Sequence, residues 1–321
     1  MESLARVENL YRYYGDICAV HDVSFEIKRG EVLGFLGPNG AGKSTTMQII
    51  SGNLAPSAGL VQINGIDMLD QPKLAKAQLG YLPEQPPLYR ELTVDEYLGY
   101  CAQINRVPGG KRRAAVDTAR QRCGLTEVGR RLIGNLSKGF QQRVGIAQAI
   151  IHSPALVILD EPTVGLDPIQ IREIRALIRE LAGEHSVILS THILPEVQAI
   201  CDRVQIIHKG ELVLSDTIAG LLRRMQASSL LAAFRRPPAG HELESLAGVQ
   251  TADPLPDGRV RIHYDPQHNP AEALVQQSVS QQWGLYELIP ERMSLEQIFV
   301  DITHTESTPD EQTQDQTGVA A

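Results

Sequence analysis

Apolar residues recur at two spacings along this chain, and the switch between them divides it into elements. Short continuous apolar runs bounded by turn residues suit strands buried on both faces; residues 31–36, 155–159 and 187–189 are of this kind. Residues 43–50 suit a helix closed by Gly52, and a helix begins at Leu136-Ser137 and runs to about residue 151. Ile171, Ile174, Ile178 and Leu181 repeat at helical spacing after Asp167-Pro168; Arg172, Glu173, Arg175 and Arg179 fall on the other faces, most simply a solvated surface. The section up to about residue 72 is rich in strand patterns, including residues 61–63 ahead of an Asn64-Gly65 turn, and it is expected to pair with the core that resumes near Ser153. Residues 73–152 read as mostly helical, with Thr93 as an N-cap and Glu96 three residues on. A hairpin-like stretch at 206–213 brings this first unit to an end near Asp216.

A second unit spans 217–303. Residues 235–240 form a loop, and 259–264 alternate as a half-buried strand with Val260, Ile262 and Tyr264 on one face. Residues 270–283 suit a helix and 285–289 another strand. Ser294-Leu295-Glu296-Gln297 then begins a helix with Leu295, Ile298, Phe299 and Ile302 on one side. These patterns predict a small α+β domain.

The candidate chemistry lies between the first buried strand and the first helix. Gly37-Pro38-Asn39-Gly40-Ala41-Gly42-Lys43-Ser44 reads G-x-x-x-x-G-K-S, followed by Thr45, in the strand–loop–helix context a phosphate-binding loop requires. Glycines let backbone N–H groups curl around phosphate oxygens, and the helix N-terminus adds partial positive charge. Lys43 is expected to bridge the β- and γ-phosphates and the Ser44 hydroxyl to ligate Mg²⁺. The run 155–159 delivers Asp160 and Glu161 at a strand end, where α/β folds bind ligands. Asp160 would hold the metal and Glu161 would polarise the attacking water.

Between these motifs stands Leu136-Ser137-Lys138-Gly139-Phe140-Gln141-Gln142-Arg143. With it the chain resembles the ATP-binding-cassette (ABC) ATPases, whose signature is usually written LSGGQ, over roughly residues 3–216. The resemblance implies an α/β P-loop NTPase core with a helical subdomain, here about 73–152, and the small C-terminal α+β domain follows at 217–303. It implies that Tyr14 stacks on adenine, that Ser137 and Gly139 meet the γ-phosphate, that Asp167 in Gly165-Leu166-Asp167 communicates across a dimer interface, and that His192 senses the γ-phosphate. At the family's Gln position, after Gly80-Tyr81-Leu82-Pro83, this chain has Glu84 and then Gln85, and either could approach Mg²⁺ or its water. Lys138 and Phe140 replace the usual Gly and Gln of the signature, while Ser137 and Gly139 keep the hydroxyl and the close backbone approach.

Residues 290–303, PERMSLEQIFVDIT, are similar to the closing motif of ABC-2-type exporter ATPases, a subgroup that also favours Glu after Tyr-Leu-Pro. LSKGF resembles the gliding-motility-associated branch. The resemblance implies a homodimeric ATPase subunit that powers export through a separate transmembrane permease subunit. An ATPase that moves a membrane partner without carrying a substrate is the alternative. The resemblance also places Pro86-Pro87-Leu88-Tyr89-Arg90 in a groove that receives a short cytoplasmic helix of that permease; the alternative is that Leu88 and Tyr89 fill the core of the helical subdomain.

Whole-chain properties narrow the function classes. The 321 residues allow about two domains, and 42% are hydrophobic, enough for a substantial core. A net charge of −8 and a pI near 5.6 argue against broad nucleic-acid binding. Residues 304–321 carry Glu306, Asp310, Glu311 and Asp315 without Lys or Arg and read as a disordered acidic tail. Cys18, Cys101, Cys123 and Cys201 are scattered and read as reduced thiols. His152, His185 and His208 sit in loop-like contexts and read as structural. No apolar run approaches the ~20 residues of a membrane helix, and the first residues lack a signal peptide's pattern. The expected location is therefore peripheral, on the cytoplasmic face of the cell membrane.

Overall fold

The computed structural model describes residues 3–224, 229–265 and 267–291. The chain divides into two compact units between Ile218 and Ala219.

The first unit runs β1 (Ser3–Tyr14), β2 (Ile17–Lys28), β3 (Val32–Leu36), α1 (Lys43–Ile50), β4 (Ala58–Ile63), β5 (Ile66–Asp67), α2 (Pro72–Lys76) and β6 (Leu79–Leu82). It continues with α3 (Val94–Ile104), α4 (Gly109–Arg122), α5 (Lys138–Ile150), β7 (Leu156–Asp160), α6 (Pro168–Leu181), β8 (Ser186–Thr191), α7 (Leu194–Ile200), β9 (Arg203–His208) and β10 (Glu211–Thr217); α8 (Ile218–Arg224) starts at the boundary and belongs to the second unit.

Two sheets result. One is antiparallel, in the order β2-β1-β4-β5; the other has six strands, β10-β9-β3-β8-β7-β6, parallel throughout except for β10. Every residue of β3, β7 and β8 is buried, as continuous apolar strands covered on both faces must be. Met47, Ile49 and Ile50 of α1 join a core with Val23, Phe25 and Ile27 of β2, Leu33 and Phe35 of β3, and Ile158 and Ile188. The Phe25 and Phe35 rings lie 5.5 Å apart within it. Two hairpins close on left-handed residue pairs, Asn64-Gly65 between β4 and β5 and Lys209-Gly210 between β9 and β10.

The stretch read as mostly helical also contains β6, which pairs with β7 at the edge of the six-stranded sheet. Four residues containing a glycine show little periodicity, and what makes Leu79–Leu82 a strand is β7 beside it. The Thr93 capping box is present: Thr93 N–H donates to Glu96 at 2.8 Å, and the Thr93 hydroxyl accepts from Glu96 N–H at 3.3 Å.

The faces of α6 are less uniformly solvated than their spacing suggested. Glu173 pairs with Arg143 at 2.7 Å, Arg175 approaches Glu196 at 3.7 Å, and Arg179 donates to the Ala199 carbonyl. Leu177 completes the buried stripe of Ile174, Ile178 and Leu181.

The second unit holds β11 (Ser229–Phe234), α9 (Gly240–Glu244), β12 (Val249–Pro254), β13 (Val260–Tyr264), α10 (Ala271–Ser280) and β14 (Leu285–Glu291), with an antiparallel sheet ordered β12-β13-β11-β14. Val260, Ile262 and Tyr264 are buried on one face, in a core with Leu230, Phe234, Leu274 and Trp283. The helix expected after Ser294 and the acidic tail lie outside the described residues.

Candidate functional site

The loop between β3 and α1 is held open by its glycines. Gly42 caps α1 at φ 102°, and a Cβ there would lie 2.6 Å from the Ala19 carbonyl oxygen, so a side chain is both strained and obstructed. No side chain caps α1, which leaves its first N–H groups directed at the cavity as an anion site. The loop is braced from β10's side: Gly210 N–H donates to Ala41 O at 2.9 Å, and His21 N–H donates to Gly210 O at 2.9 Å. Lys43 is buried; its Nζ donates to the Gly37 carbonyl at 2.8 Å and the Pro38 carbonyl at 3.2 Å and lies 3.5 Å from Glu161 Oε1.

A cavity of about 400 Å³ opens here. Asn39, Gly40, Gly42, Lys43, Ser44 and Thr45 line one side; Ala19, Glu84, Glu161, Val164 and His192 complete it. Asp160, at the end of β7, is buried, and its Oδ1 has no protein partner. Burial pushes its carboxyl above the usual range; the Ser190 and Ser44 hydroxyls pull it back, and the nearby charges of Glu161 and Glu84 push it further up.

Glu161 follows with φ +48°, a left-handed backbone that costs a non-glycine residue about 1–3 kcal/mol. Both its carboxylate oxygens lie 3.0 Å from His192 Nδ1. Since a carboxylate only accepts, Nδ1 carries the hydrogen.

Among the described residues, no cluster of three or more His, Cys, Asp or Glu is arranged to hold a metal. A Mg²⁺ ion does not need one, because it takes one or two carboxylates together with substrate phosphates and water. The unpartnered Oδ1 of Asp160, with the Ser44 hydroxyl and Glu84 beside it, fits that requirement.

The other expected site residues stand apart from this cavity. Gln85 is exposed and does not line it. Tyr14 is half exposed at the end of β1, with the Arg12 guanidinium 4.8 Å from its ring centre. Ser137 caps α5, accepting from Phe140 N–H at 3.4 Å, and a Cβ on Gly139 would meet the Gln170 side chain at 2.7 Å. Asp167 caps α6 through Ile169 and Gln170 N–H. His185 is buried against the Pro154 carbonyl, His152 contacts the Leu79 carbonyl, and His208 ends β9, so all three have structural surroundings. The four cysteines are free thiols.

Sequence patterns gave no notice of Ala19 and Val164 as lining residues, or of Glu196, whose buried carboxylate accepts from Thr163 and Thr191.

Known proteins resemble this chain in both sequence and fold. The ABC transporter family model matches residues 20–164. The bacitracin transport ATP-binding protein BcrA of Bacillus licheniformis is 39% identical over 215 residues, covering 66% of this chain and 69% of that protein. The ABC transporter ATP-binding protein NatA of Bacillus subtilis is 38% identical, over 66% of this chain and 87% of its own. An uncharacterised B. subtilis relative, YdbJ, is 34% identical over 94% of this chain and 96% of its own. Among solved structures, CbiO1 of Clostridium perfringens superimposes with a TM-score of 0.64 at 30% identity, covering 70% of this chain and 92% of that one. The dimeric MJ0796 cassette bound to ADP and phosphate does so at 0.60 and 26%, covering 67% and 98%. The chain therefore belongs to the ATP-binding subunit family of ABC transporters, and it is an ABC ATPase that binds and hydrolyses ATP.

Proposed function

We propose that this chain powers an ABC-2-type exporter, as a head-to-tail homodimer peripheral to the cytoplasmic face of the membrane and acting on a separate transmembrane subunit. The observation that carries the reading is the gathering of Lys43, Ser44, Glu84, Glu161 and His192 around one cavity, with the unpartnered Oδ1 of Asp160 beside it. Further support comes from relatives named for bacitracin transport and linearmycin resistance. Among the described residues no helix is long and apolar enough to cross a membrane.

In this reading the N–H groups of residues 40–45 cradle the phosphates, and Lys43 moves from the loop carbonyls to the β- and γ-phosphates. Ser44, Asp160 and Glu84 would hold Mg²⁺, which would supply charge stabilisation at the phosphate oxygens. Glu161 accepts the proton of the attacking water, and His192 orients Glu161 and reads the γ-phosphate. Tyr14 stacks on adenine. Ser137 and Gly139 of a second copy close over the γ-phosphate, since neither lines the cavity of its own chain. Residues 1–216 act as the ATPase domain, with 73–152 as its helical subdomain and 217–303 as an accessory domain.

Co-expression with a candidate ABC-2-type transmembrane subunit from the same genome tests the proposal. Detergent extraction should recover the two together, and vesicles containing both should move a cargo only with ATP. An ATPase found only in the soluble fraction overturns the reading. Co-purification and coupled ATPase without cargo movement would point to mechanical work instead.

A further inference from the structure

Glu196 has no exposed surface, although it lies in the first turn of the seven-residue helix α7. A carboxylate removed from water persists only where other groups replace the water. Its Oε1 accepts from the Thr163 hydroxyl at 2.6 Å and its Oε2 from the Thr191 hydroxyl at 3.1 Å, while Arg175 lies 3.7 Å from Oε1. The Thr191 oxygen in turn accepts from Ile193 N–H at 3.1 Å, which spans His192.

The positions of these partners in the chain give the contact its meaning. Thr163 is the second residue after Glu161, and Thr191 immediately precedes His192. β7 and β8 run in register to Asp160 and Ser190, and Glu161 N–H still bonds the Ser190 carbonyl at 2.9 Å. From there outward the two segments are joined through the Glu196 carboxylate, beneath the 3.0 Å contact between Glu161 and His192. Glu161 also holds a left-handed backbone, a conformation that persists only where its surroundings over-determine it.

We propose that Glu196 is a positioning residue for hydrolysis: by tying Thr163 to Thr191 it holds Glu161 and His192 at their working separation. The inference rests on the roles given to Glu161 and His192 above. Arg175 balances its charge from α6, the helix capped by Asp167.

Glu196→Met is close to glutamate in volume and removes both acceptors. The full-length variant should bind ATP within about threefold of the parent, because the phosphate loop is untouched. Its single-turnover rate should fall about 10- to 100-fold, the scale of a misplacement of about 1 Å. Glu196→Gln, which keeps one acceptor oxygen, should recover part of the loss. The deciding measurement is made in a Glu161→Gln background, where Glu196→Met should slow the residual rate by no more than about twofold, because residues that act through one group are not additive. Equal slowing in both backgrounds overturns the proposal, since the effect would then bypass Glu161. Near-parental rates in Glu196→Met also overturn it. If Glu196→Met does not fold, Thr191→Val carries the same comparison, with the same results expected and excluded. A Glu161→Gln variant with a near-normal rate would instead refute the assignment of the general base, and is read separately.

Discussion

Glu161 and His192 face each other across the ends of neighbouring parallel strands, with both carboxylate oxygens 3.0 Å from the imidazole Nδ1. The same carboxylate lies 3.5 Å from Lys43 Nζ. One acid is thus held between a buried ammonium and an imidazole N–H, with its oxygens turned towards the phosphate loop. On the proposed mechanism, these contacts would keep the base in place before the water it serves arrives.

Glu161→Gln should consequently separate binding from turnover. In the proposed roles, Lys43 and Ser44 meet groups already present in the ground state, whereas Glu161 acts in the transition state. ATP affinity is expected to be retained while turnover falls at least ~100-fold, the usual range for losing a general base. Equilibrium binding together with single-turnover hydrolysis checks this.

Asp160 should oppose folding at neutral pH. Its carboxyl is raised by burial first and by Glu161 and Glu84 beyond that, so the folded protein binds this proton more tightly than the unfolded chain. Its contribution to stability therefore rises as pH falls through the raised value and is unfavourable above it. Asp160→Asn is expected to raise the melting temperature of the metal-free protein at pH 7 and to abolish the extra stabilisation that Mg²⁺ with ATP gives the parent. Thermal denaturation with and without MgATP reads both effects.

Glu84 and Gln85 should behave differently. Glu84 lines the cavity and its charge is felt by Asp160, while Gln85 is exposed and is not among the lining residues. Glu84→Gln is expected to raise the Mg²⁺ concentration needed for half-maximal ATPase several-fold, and Gln85→Ala to leave it unchanged. A Mg²⁺ titration of both variants decides between the two residues.

Lys43→Ala and Ser137→Arg chains should complement each other. In a head-to-tail dimer of one copy of each, one site carries both defects and the other carries neither. Mixing the two inactive proteins is expected to restore part of the ATPase. No recovery, together with crosslinking that finds only monomer for ATP-bound Glu161→Gln, would count against the dimer.

Tyr89 should be dispensable for the fold. It is 46% exposed, with its ring centre 6.0 Å from that of buried Tyr97 and 5.7 Å from that of half-exposed Tyr100. Tyr89→Ala is expected to keep basal ATPase, lower the melting temperature by no more than a few degrees and weaken membrane association. A large fall in melting temperature with unchanged membrane association would make it a packing residue.

Features legible in the sequence are those whose causes lie within a few consecutive residues. The phosphate loop is eight residues whose glycines, lysine and serine act as one segment, and Asp160-Glu161 ends an apolar run that no exposed strand could tolerate. Val260, Ile262 and Tyr264 announce their common face by alternation, and Thr93 with Glu96 announces a helix start. Tertiary structure decided the rest, because the deciding partner lies far along the chain. β6 is a strand by virtue of β7, some seventy residues later. Glu84 is separated from Gln85 only by which of them the fold turns towards Asp160. Glu196 looks in sequence like any surface acid in a short helix; Thr163, 33 residues before it, and Arg175 on another helix are what make it a buried tie between two strand ends. Periodicity reports which side of an element is buried. Which group meets a buried carboxylate is settled only when distant strands have been brought into register.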